Sequence, residues 1–147
     1  MKRFVFGTAA MLVFVATALW LEGADLLKLF LPTPLMITVG APLCALLAIW
    51  DLGALRAAWR AAFDAAAEER TREAAAKVWN FLEKAFYAAG ALGFIAGAII
   101  IFANPIATPV DVLRPFSIDL VAPLWAVVLA MVARILRYRV VTRNSRG

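Results

Sequence analysis

The sequence predicts an all-α integral membrane protein with four transmembrane helices, organised as one membrane domain over residues 1–147. Three observations predict it. First, 65% of the residues are hydrophobic and only 17% are charged, against roughly 45–50% and about 25% in a soluble domain. Second, the charges are confined so that residues 4–21, 29–50 and 85–110 carry none; each run reaches the roughly 17–25 apolar residues that cross a bilayer. Third, Lys and Arg gather in alternate connections. The polypeptide has no His, and its single Cys is Cys44, which excludes an imidazole base and an intrachain disulfide.

Helix one is expected near 4–21. Lys2 and Arg3 followed by an apolar run have the outline of a signal peptide. The run is longer than a usual signal core, and Gly23 and Ala24 are flanked by Glu22 and Asp25, a poor cleavage site, so the segment is read as retained. Helix two is expected near 34–50, with Thr33 as N-cap and Pro34 at the first helical position. Residues 51–84 form a charged helical segment of two extensions joined near residues 64–71. Leu55, Trp59 and Phe63 recur every four residues and predict the apolar face by which the first extension packs. Helix three is expected near 86–103. The following connection is stiffened by Pro105, Pro109 and Pro115. Helix four, near 116–135, tolerates Asp119 close to its start and ends with Arg134 snorkelling toward water.

Orientation follows from the basic residues. The N-terminus, the 51–84 segment and the C-terminus hold all of them except Lys28 and Arg114. The positive-inside rule then puts both termini and the middle segment in the cytoplasm. The net charge of +5 is thereby accounted for by topology and anionic lipid, and no basic-aromatic array points to nucleic acid.

Nothing in the sequence points to an enzyme, a cofactor or a metal: there is no nucleophile-base pair, no P-loop and no ligand spacing. Cys44 reads as a small packing residue. In helix three, Ala89, Gly93 and Gly97 recur at four-residue spacing with Gly90 beside them. Such a strip admits a close helix neighbour, either within the chain or in a second subunit, or faces a pore. Asp119 is the acid nearest the membrane interior. It reads as a cap of helix four, supported by the helix dipole, Arg114 and Ser117, or else as an ion site. Pro123 has no N–H for the carbonyl of Asp119, and Pro42 none for that of Thr38, so a kink or an open carbonyl is expected at each.

Three stretches resemble a known family. Residues 21–40, with Gly23 and the Pro32-Thr33-Pro34 entry, resemble the loop leading into helix two of flagellar stator A-subunits. Residues 46–63 look like that family's helix two running out into its cytoplasmic region. Ala89-Gly-Ala-Leu-Gly-Phe-Ile-Ala-Gly97 with Asn104-Pro105 is similar to its Ala-Pro-x-x-Gly-x-x-Gly-Thr helix and following loop. The chain thus resembles a small, divergent member of the MotA/TolQ/ExbB proton-channel superfamily. The resemblance implies a homo-pentamer in a bacterial inner membrane, ringed around a single-pass partner that carries the proton-binding Asp. It also implies a channel lined by helices three and four. The family's helix-three Pro falls on Gly90, its Thr on Gly97, and its helix-four channel Thr on Ala122 or Pro123. The expected function is therefore a ring subunit of an ion-driven transport or energy-coupling complex with altered channel positions. The alternatives are a non-conducting assembly module and a carrier of small apolar substrates.

Overall fold

A computed structural model of the protein describes residues 2–21, 30–64, 67–103 and 110–142. All regular structure among them is helical. The expected loops at 22–29 and 104–109, the tail at 143–147 and the side chain of Arg114 lie outside what is described. The chain divides into two compact units, 1–32 and 33–147.

The first unit is α1 (Lys2–Leu21). Among its described side chains, Phe6 is 77% and Phe14 80% exposed. Thr17 keeps its hydroxyl satisfied by donating to the Val13 carbonyl at 2.8 Å.

The second unit holds α2 (Pro32–Ile49), α3 (Leu52–Phe63), α4 (Glu69–Ala103), α5 (Val110–Asp119) and α6 (Val121–Thr142). Among the described residues, three helical stretches are long and apolar enough to cross a membrane, not the expected four: Pro32–Ile49, Glu69–Ala103 and Pro115–Thr142. Among its described side chains α1 offers only the shorter run Phe6–Thr17, about 18 Å of helix against a hydrocarbon core of about 30 Å.

Helix α2 starts at Pro32, earlier than the expected Thr33 cap, because a proline is pre-organised for the first helical turn and needs no N–H partner there. Its second turn, Met36–Gly40, is a wide π-type turn that precedes Pro42, where the regular hydrogen-bond ladder cannot continue. Residues 46–63 do not form one continuous helix. Trp50 is extended, and Asp51 starts a new helix by accepting a 2.7 Å hydrogen bond from the Ala54 N–H, an N-cap that redirects the chain.

Helix α3 packs chiefly by alanines beside the expected Leu55, Trp59 and Phe63, which meet the bundle at its edge, the Trp59 ring 5.9 Å from that of Trp79. Its buried residues are Ala58, Ala61 and Ala62, while Trp59 is 52% exposed. Small side chains let α3 lie close to its neighbours, and the bulky ones are displaced to the edge. Trp79 of α4 fastens that contact by donating Nε1–H to the Ala58 carbonyl at 3.2 Å. The Arg139 guanidinium of α6 lies 5.2 Å from the centre of the Phe63 ring.

Helix α4 runs unbroken for 35 residues, about 52 Å, so it exceeds a bilayer core by several turns. Its main partner is α6. Val78, Leu82, Phe86 and Ala89 meet a face that includes Ala126, Ala130, Ala133 and Leu136. The outward faces carry Leu92, Ile95, Ile99 and Phe102, suited to lipid.

Candidate functional site

Small residues bring α4 and α6 together. A Cβ built on Gly90 would collide with the Ala126 methyl, and one on Gly93 would stand 2.9 Å from the Ala122 methyl. The strip of Ala89, Gly90, Gly93 and Gly97 is thus used for helix packing inside the chain, and Ala122 is its counterpart on α6. Pro123 is also at this contact, its Cα 3.3 Å from the Cβ that Gly90 lacks.

One step along the strip, Asp119 takes the place of the methyl groups. A Cβ on Gly97 would overlap its Oδ1 and Cγ and stand 3.0 Å from its Oδ2. Gly97 therefore makes the space in which this carboxylate sits. Asp119 is 9% exposed, and its Oδ2 is buried without a hydrogen-bond partner. It lines a cavity of about 250 Å³ whose other walls include Thr33, Ile37, Ile100 and Ile118. Thr33 and Asp119 are the polar side chains of this lining.

The expected cap geometry is not what is found. Asp119 is the last residue of α5, not part of the first turn of a helix. Leu120 continues the preceding turn, its N–H reaching the Phe116 carbonyl at 3.2 Å, and α6 begins at Val121. Ser117 lies inside α5 and cannot cap it. The expected break at Pro123 is present as the interruption at Leu120.

The second expected break, at Pro42, gives a role to the side chain of Thr38, which the sequence reading named only for its carbonyl. Thr38 is fully buried and donates its hydroxyl to the Pro34 carbonyl at 2.7 Å, with the Ala122 carbonyl 3.4 Å away. The proline disrupts the helix four residues later, and the threonine hydroxyl satisfies a carbonyl of the same irregular turn. A polar residue four positions before a membrane proline was the available signal.

Glu83 was also passed over. It is 5% exposed in the middle of a buried stripe running through Val78, Trp79, Leu82 and Phe86, a spacing that was legible in the sequence. Its Oε1 accepts from Arg134 Nε at 2.7 Å and its Oε2 from Arg137 at 3.2 Å, while the same Arg137 nitrogen donates to Asn80 Oδ1 at 2.7 Å. Arg134 therefore ties α6 to α4 as well as reaching toward water. Cys44 is exposed on α2.

Comparison with known proteins finds no matching family model, curated protein or solved structure.

Proposed function

We propose that this chain is a subunit of an ion-coupled transport or energy-coupling complex in a bacterial inner membrane, and that Asp119 is its ion-binding group. The observation that carries the reading is the buried, unpartnered Oδ2 of Asp119, opening on a cavity within a membrane-spanning stretch. A carboxylate held in such surroundings is a functional group by default. The ion is a proton. A calcium-type cation takes about 6–8 oxygen ligands, whereas the side chains lining this cavity supply only the Asp119 carboxylate and the Thr33 hydroxyl. In this reading α1 also crosses the membrane and both termini are cytoplasmic. Copies of the chain surround a single-pass partner, as the resemblance to the MotA/TolQ/ExbB superfamily implies.

One observation favours a second reading, a non-conducting assembly module. The small-residue strip that could have met a neighbouring subunit is occupied by α6 and the end of α5 of the same chain, and Gly97 and either Ala122 or Pro123 stand where the family has channel threonines. The experiment that decides is proton flux into vesicles reconstituted with the wild-type complex or with Asp119→Asn. Flux that disappears in a folded, fully assembled variant supports Asp119 as the ion group. Equal flux in the two assigns conduction elsewhere, and no flux in the wild type supports the assembly module.

A further inference from the structure

A second cavity, far larger than that at Asp119, lies between α2, α3, α4 and α6. It has a volume of about 480 Å³, within the roughly 300–1,000 Å³ typical of ligand pockets. Its walls are hydrocarbon and aromatic, among them Leu43, Trp59, Phe86 and Leu129, and its charged members are Arg56 and Arg60. The two arginines stand one turn apart on α3. Both are exposed, and neither has an ion-pair or hydrogen-bond partner among the described residues. The nearby carboxylate of Glu83 is already taken by Arg134 and Arg137.

The site is therefore an apolar slot walled in part by the stems of Arg56 and Arg60, two exposed residues without an ion-pair or hydrogen-bond partner among the described residues. Its position fits that chemistry. Helix α3 follows directly on the spanning helix α2 across the turn at Trp50 and Asp51. Trp50 precedes α3 and Trp59 lies within it, in the manner of aromatic residues at a headgroup layer. An amphipathic helix with arginines on its polar side lies at the boundary of lipid and water.

We propose that this groove binds one anionic phospholipid, an acyl chain filling the slot and the phosphate held between Arg56 and Arg60. A planar guanidinium pairs well with phosphate oxygens. The chain supplies the apolar part from the surrounding membrane, so no soluble ligand is required. The inference does not depend on what Asp119 does.

The test is retention of lipid by the purified complex after reconstitution into vesicles of equal phosphatidylglycerol and phosphatidylcholine with matched acyl chains, read by native mass spectrometry. Phosphatidylglycerol should be retained in preference by about 25-fold, since each of the two basic residues near an anionic lipid contributes about fivefold. The double variant Arg56→Gln/Arg60→Gln should retain both lipids equally. Leu43→Trp fills the slot without touching the charge, at a residue 38% exposed, and should reduce retention of both lipids. Arg70→Gln, on an exposed residue of α4 outside the groove, should change nothing. Equal retention by the wild type, an unchanged preference in the double arginine variant, or a stoichiometric polypeptide in place of lipid would each overturn the proposal.

Discussion

Gly97 and Asp119 share one space: the carboxylate of Asp119 occupies the volume that any side chain at position 97 would need. The burial of the acid is thus a property of two helices, since α4 supplies the gap and the end of α5 supplies the group. Gly97→Ala is expected to push the carboxylate out of its seat and to destabilise the folded subunit by about 1–3 kcal/mol, the usual cost of overpacking. The partner change Asp119→Ala removes the obstructing atoms. The double variant should therefore be more stable than the sum of the two single effects predicts. A double-mutant cycle of unfolding in mixed micelles measures this coupling, and strict additivity would show that the two residues do not compete.

Gly93→Leu is expected to act inside the chain. The Leu side chain would meet Ala122 and then Ile37, whose Cγ2 is 3.5 Å from the missing Cβ. Separation of α4 from α6 should lower thermal stability by about 1–3 kcal/mol, with any loss of assembly following from it. Gly40→Ala is the control, because nothing lies within 4 Å of that position, and it should be neutral within about 0.5 kcal/mol. A Gly93→Leu protein of wild-type melting temperature that no longer assembles would move the contact to a subunit interface.

Glu83→Ala strands two arginines and should cost about 1–2 kcal/mol. That is less than a fully buried pair loses, because the Arg134 side chain is 58% exposed and partly screened by solvent. Glu83→Gln keeps an acceptor for only one of the two arginines and turns an amide donor toward the other, so it should recover only part of that loss. Chemical denaturation at low and high salt checks both, and salt should narrow the gap between wild type and Gln variant.

Fusing a reporter to each end reads the topology. If α1 crosses, both reporters should be active on the cytoplasmic side, as the distribution of Lys and Arg predicts. If only Pro32–Ile49, Glu69–Ala103 and Pro115–Thr142 cross, the two ends lie on opposite sides. Periplasmic activity at the N-terminus with cytoplasmic activity at the C-terminus would remove α1 from the membrane.

By itself the sequence determined what depends on local composition. The uncharged runs near 34–50 and 86–103, and the stretch near 116–135 with only Asp119 and Arg134, have one stable form in hydrocarbon, a helix that satisfies its own backbone, and helices long and apolar enough to span were found there. Pro123 and Pro42 announced their breaks because a missing N–H acts on the residue four positions earlier, whatever the surroundings. The buried face of α3 and the burial of Asp119 were decided by tertiary structure. Residues 55, 59 and 63 do share a face, but alanines allow closer approach than tryptophan does, so α3 turned Ala58, Ala61 and Ala62 inward. Sequence distance put Asp119 near Arg114 and at a helix start. Only the approach of α4, more than twenty positions earlier in the chain, brought Gly97 beneath it and made a helix-end acid into a buried one.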